Sequence, residues 1–174
     1  MIEGVRPRSL VVIVAAMLCL GLIGASAASA APQRLNKAQW ATYLKAYNPY
    51  LAQTTKTVAR FRKCRASTAY NKYLESFNAC LGTTPAKEIA VTNALFTTLS
   101  GFQGKVGGSC AKSQTTYTTA VYFWKSIVIG INRALRIKSS NVATIEGQAQ
   151  NGVLAAQRVA ADAKAFTAVC KPAS

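Results

Sequence analysis

Two stretches, 110–135 and 142–170, place residues on a helical face at strictly alternating steps of four and three, and this spacing limits the fold more than any other feature of the chain. In the first the face is Cys110, Gln114, Tyr117, Val121, Trp124, Val128, Ile131 and Leu135. In the second it is Val142, Ile145, Ala149, Gly152, Ala156, Val159, Ala163, Phe166 and Cys170. A mean step of 3.5 holds such a seam on one side of a helix. The first seam is bulky and the second small, so the two helices are expected to pack as a close antiparallel pair. Ser139-Ser140-Asn141 breaks the first helix and caps the next. Ser140 lies 30 residues from both Cys110 and Cys170. Folding back there brings these two cysteines level on the contact seam.

Helical spacing also runs through the preceding residues, with no sustained period-two alternation to suggest a strand. A first helix opens at Asn36 with Gln39 three residues on, a capping box. Its apolar face reads Trp40, Tyr43, Leu44, Tyr47, Leu51, Val58 and Phe61, with a kink expected at Pro49. A second, shorter helix follows Ser67-Thr68, carrying Tyr70, Tyr73, Leu74, Phe77 and Leu81 on one face and stopped by Gly82. Thr84-Pro85 opens a third helix, whose face is Ile89, Thr92, Leu95, Phe96, Leu99 and Phe102. Gly107-Gly108 makes a turn before Ser109 caps the fourth. The fold expected is all-α, an antiparallel bundle of four or five helices stapled by two disulfides.

The N-terminus has Arg6 and Arg8, then an apolar run from Leu10 to Ile23, then Ala28-Ser29-Ala30. That order reads as a secretory signal over residues 1–30, with a single domain over 31–174 and cleavage preferred to retention as an anchor. The remaining four cysteines, Cys64, Cys80, Cys110 and Cys170, then read as two disulfides. Hairpin geometry pairs Cys110 with Cys170, and elimination pairs Cys64 with Cys80. The second pair meets a difficulty. A second helix lying antiparallel along the first would carry Cys80 about 18 Å from the turn at 1.5 Å per residue. Either that segment folds across the bundle end or Cys64 pairs elsewhere.

Composition narrows the chemistry. The chain has 21 Lys and Arg against 5 Asp and Glu, no histidine, and a formal charge of +16. Removing residues 1–30 takes two arginines and one glutamate and leaves +15. Histidine-based nucleophilic dyads are excluded, and general acid–base work is left with Glu75, Glu88, Glu146 and Asp162. Each has a basic neighbour in sequence, as in Lys72–Glu75, Lys87–Glu88 and Arg158–Asp162, and each reads as an exposed helix-surface pair. No Cys-x-x-Cys hook exists and histidine is absent, so neither a metal site nor a cofactor is expected. A non-catalytic protein is the expectation.

Two basic clusters are the candidate anion-binding residues: Arg60, Arg62, Lys63 and Arg65 around Cys64, and Arg133, Arg136 and Lys138 closing the fourth helix. Cations at helix C-termini suit the backbone dipole, which is the plain structural explanation. An excess of this size still projects positive potential into solvent. The expected partner is an anionic polymer, a membrane surface or an acidic protein. No base-reading motif points to sequence-specific nucleic acid, and the apolar stretch 121–131 is too short to cross a membrane. The competing expectation is a carrier holding a small apolar ligand in a cavity walled by Trp40, Tyr43, Tyr47, Tyr70, Tyr73 and Phe77.

Overall fold

A computed structural model describes residues 33–71, 73–137 and 141–173, all within the unit 31–174. The expected signal at 1–30, Lys138 and the side chain of Tyr70 lie outside the described residues. The described chain is all-helical: α1 (Lys37–Ala66), α2 (Thr68–Asn71), α3 (Leu74–Leu81), α4 (Thr84–Ser100), α5 (Gly108–Ala134) and α6 (Val142–Cys170).

Local chemistry accounts for most of the boundaries. The Asn36 side chain accepts from the Gln39 amide at 2.8 Å and Gln39 Oε1 accepts from the Asn36 amide at 2.9 Å, completing the capping box. Asn141 Oδ1 accepts from the Thr144 amide at 2.8 Å and opens α6. α1 continues through Pro49 to Ala66. Two caps differ from expectation: Thr83 rather than Thr84 precedes α4, and Gly107 rather than Ser109 precedes α5, neither with a side-chain cap bond.

The long helices form an antiparallel up-down-up-down bundle in the order α1, α4, α5, α6. The α5–α6 interface is the most extensive among the four and the α1–α6 interface the least. At one end Leu35 donates its amide to the Cys170 carbonyl at 3.1 Å, and Gln114 Nε2 donates to the Leu99 carbonyl at 2.8 Å. At the other end Cys64, Phe77, Cys80, Leu81, Ile131, Leu135 and Ile145 form a second core cluster. Both disulfides form as paired from sequence, with Cα–Cα distances of 5.8 Å for Cys64–Cys80 and 4.9 Å for Cys110–Cys170. The chain-entropy model assigns them about 3 and about 4 kcal/mol.

Two helical faces are corrected. The single second helix is two, α2 and α3, with Tyr73 extended between them (φ −126, ψ 138). That break redirects the chain so that Cys80 returns to Cys64, which resolves the difficulty of an antiparallel second helix. On α1 the buried stripe is Tyr43, Tyr50, Thr57 and Cys64, at steps of seven. Trp40, Leu44, Tyr47, Val58 and Phe61 flank it half-buried, and Leu51 is 48% exposed.

The α5–α6 pair behaves as its seams imply. All eight α5-seam residues are buried, as are Ile145, Gly152, Val159, Ala163, Phe166 and Cys170 of α6. At the centre the Trp124 ring lies over Gly152, where an added Cβ would sit 3.1 Å from Cζ3 and 3.4 Å from Ile127 Cγ2. Trp124 cannot swing aside without losing its indole hydrogen bond to Glu88. Gly152→Val therefore overpacks the seam and is expected to lower stability by about 1–3 kcal/mol, read as a drop in the urea midpoint.

Candidate functional site

α1 and α5 each run antiparallel to α4, so they are parallel to one another and their C-termini share one end of the bundle. The described residues of both basic clusters are thereby brought to that end, around the core cluster that holds Cys64, Ile131 and Leu135. Arg62, Lys63, Arg133 and Arg136 are exposed. Arg60 is exposed too, but its Nε donates to the Cys80 carbonyl and so supports the disulfide loop. Arg65 Nε lies 3.7 Å from Glu146 Oε1. At mid-bundle Arg158 pairs with Asp162 at 3.2 Å, one helical turn on, as expected.

Of the six aromatics proposed as a cavity wall, the five with described side chains do not share a cavity. Tyr43 is wholly buried, with ring centroids 5.0 Å from Trp40, 5.2 Å from Tyr47 and 5.0 Å from Phe166. Phe77 is buried at the opposite end, edge-on to Phe61 at 5.4 Å. Tyr73 is 60% exposed. Phe61, against which Phe77 packs, lies about 30 Å along α1 from Trp40 and Tyr43 at 1.5 Å per residue, with packed core between. Tyr47 lines an open space, between α1 and α6.

The residue the sequence reading misplaced is Glu88, which is fully buried rather than paired with Lys87 at the surface. Its Oε1 accepts from Thr54 Oγ1 at 2.6 Å, Trp124 Nε1 at 2.8 Å and Thr92 Oγ1 at 3.4 Å; its Oε2 accepts from Thr57 Oγ1 at 2.9 Å. Gln53 Nε2 donates in turn to Thr57 Oγ1 at 3.2 Å. These partners are neutral donors on α1, α4 and α5. A buried carboxyl needs such donors, because desolvation is otherwise uncompensated. The signal was present in the spacing: Glu88, Thr92, Leu95, Leu99 and Phe102 continue one series of steps of four and three, and all five are buried.

Where α6 meets α1 only lightly, a groove runs between them. Its more enclosed half, about 80 Å³ and still partly open to solvent, is walled by Phe61, Leu81, Trp124, Val128, Ile131 and Gly152, and Arg65, Glu146 and Gln150 also line it. A shallower half of about 380 Å³ extends past Tyr50 to Tyr47. Val58, Arg62 and Val153 line both halves. Thr57 and Trp124 border the enclosed half with their polar atoms bonded to Glu88, so the floor is apolar. The small residues Ala149, Gly152, Ala156 and Ala160 of α6 make the opposite wall.

Tyr43 and Tyr117 bury hydroxyls that make no hydrogen bond of ordinary geometry. Burial pushes the Tyr43 hydroxyl pKa up to about 12, opposed in part by the nearby Tyr117 and Thr167 hydroxyls. Burial raises Tyr50 and Tyr117 as well.

The class of protein defined by this architecture is a disulfide-stapled, cationic four-helix bundle with an open α1–α6 groove. Comparison with protein-family models, curated proteins and solved structures returns no match.

Two outcomes follow from the buried groups. Glu88→Leu strands the Trp124 indole N–H and is expected to cost about 1–3 kcal/mol. Glu88→Gln keeps an acceptor for Trp124 and is expected to cost less, the two being compared by urea unfolding. The tyrosines set an alkaline limit. Their raised folded pKa values mean that the native chain holds protons the unfolded chain releases above about pH 10. Their contribution is complete below that pH and falls as pH rises from about 10 to about 12. The urea midpoint should drop in that window, and tyrosinate absorbance of the native chain should titrate fewer than its 7 tyrosines.

Proposed function

We propose that the chain is a non-catalytic, secreted or envelope-associated binding protein whose basic end engages anionic polymers, membrane surfaces or acidic proteins. The observation that carries this reading is the convergence of two basic clusters, some 70 residues apart in sequence, on one end of the bundle. Two parallel helix C-termini attract cations to that end, but among the described cluster residues an internal role is filled for Arg60, bonded to Cys80, and Arg65, opposite Glu146. Exposed Arg62, Lys63, Arg133 and Arg136 add their potential to a chain that already carries a large excess of positive charge. Two disulfides and the apolar N-terminal run support an exported location. Among the described residues no helix is long and apolar enough to cross a membrane.

Electrostatic retention weakens as salt shortens the Debye length, from about 14 Å at about 0.05 M to about 4 Å at about 0.5 M. The protein should bind heparin and vesicles rich in anionic lipid at low salt and elute across that range. Replacing Arg62, Lys63, Arg133 and Arg136 together by Ser should lower the eluting salt more than the same replacement of Lys37, Lys45, Lys112 and Lys164, which lie on the other half of the bundle. Equal shifts for the two sets would show that net charge, and not the basic end, holds the partner.

A further inference from the structure

Building on the reading of the α1 cations as anion-holding, we propose that the α1–α6 groove binds a single-chain anionic amphiphile, its acyl chain along the groove and its carboxylate or phosphate head on Arg62. Three features of the groove lead to this occupant: its shape, its apolar floor and the charge at its rim.

The shape is long and narrow. The groove follows α1 from Tyr47 to Arg65, about 27 Å at 1.5 Å per residue. One leaflet of a bilayer, the length of one extended acyl chain, is about 15 Å. The more enclosed half, about 80 Å³, continues into the shallower one of about 380 Å³, so a chain one methylene wide can lie in the first and extend into the second.

The floor is apolar because its polar atoms are engaged elsewhere. Thr54, Thr57 and Trp124 all border the groove, and all three hydrogen-bond the buried Glu88 carboxyl behind it. What remains facing the groove is mostly methyl, indole ring and aliphatic surface, the lining that an acyl chain favours over water; Gln150 and Gln157 also line it, as does Glu146, whose carboxylate stands 3.7 Å from Arg65. Glu88 acts here as a positioning residue, holding the indole flat against Gly152 as one wall of the enclosed half.

The rim supplies the complementary charge. Arg62 lines both halves, and it makes no hydrogen bond or ion pair with the described residues. Its aliphatic stem covers apolar surface while the guanidinium reaches water, where its fork of N–H groups matches a carboxylate or phosphate. A neutral head gains less from it, and a cationic one is repelled.

The two tryptophans make the test direct. Trp124 walls the enclosed half and Trp40 lies towards the opposite end of the bundle, so Trp40→Phe leaves a single indole at the site. A long-chain fatty acid brominated at its ω carbon should quench that indole saturably. In this background Arg62→Ser should raise the half-saturating concentration about tenfold, the scale of one charge-assisted hydrogen bond. Val153→Phe and, on an exposed and therefore tolerant position, Ala160→Phe should obstruct the groove and abolish saturable quenching with helical circular dichroism retained.

The matching bromo alcohol should bind more weakly than the acid. Unlabelled fatty acid and a lysophospholipid with an anionic head should both displace the probe, the weaker competitor identifying the less favoured source of the head. Acetate and inorganic phosphate should displace neither. Quenching that does not saturate, that survives both Phe variants, or that phosphate reverses as well as fatty acid does would overturn the groove assignment. Retention of the wild-type chain on heparin is followed in parallel: salt-sensitive retention without saturable quenching rejects the groove and leaves the basic end standing.

Discussion

Burying the Glu88 carboxyl obliges three helices to hold one register, because its donors come from Thr54 and Thr57 on α1, Thr92 on α4 and Trp124 on α5. A buried polar group left unmatched costs more than a matched one contributes, so a slip of one turn in any of these helices would be penalised at this point. The consequence reaches α6, which makes no bond to Glu88. Fixing the indole of Trp124 fixes the bulky knob over Gly152, and that contact sets how α6 lies against α5. Apolar packing makes the bundle stable; the carboxyl network selects which of the nearly equivalent helical registers is occupied.

The two ends of the bundle are closed by different means. One carries Cys110–Cys170 and the Leu35 amide bonded to the Cys170 carbonyl, which ties the start of the described chain to the end of α6. The other carries Cys64–Cys80, with Arg60 bonded to the Cys80 carbonyl. Charge follows helix direction. Because α1 and α5 are parallel, their C-terminal carbonyls and the cations that suit them collect at the Cys64–Cys80 end, and a local preference in each helix becomes a property of one face of the molecule.

The groove is the complement of the tightest interface. α6 presents small residues, and α5 fills the space they leave with Trp124, Val121 and Val128; α1, on the other side of α6, meets it over a far smaller interface. Its heptad stripe of Tyr43, Tyr50, Thr57 and Cys64 is turned into the core. Leu51, Val58 and Arg62 are left along the edge, partly or wholly open to solvent. Close packing of α5 on α6 and an open α1–α6 edge thus share one cause.

What the sequence determined by itself is whatever depends on local periodicity and short-range hydrogen bonds. The seams of α5 and α6, the Asn36 and Asn141 caps, the Gly82 stop and the Cys110–Cys170 pairing were legible because each is set by residues on one helix or by the symmetry of one hairpin. Tertiary structure alone decided the rest. Periodicity shows which residues share a face and not what covers it, so Glu88 beside Lys87 looked like a surface pair until three helices closed over it. The same limit hid the rotation of the α1 stripe, which depends on where α4 and α6 lie. It also hid the break at Tyr73, imposed by the need to return Cys80 to Cys64. The basic residues were visible in the sequence; their meeting at one end, and the groove beside them, exist only because antiparallel packing carries distant segments together.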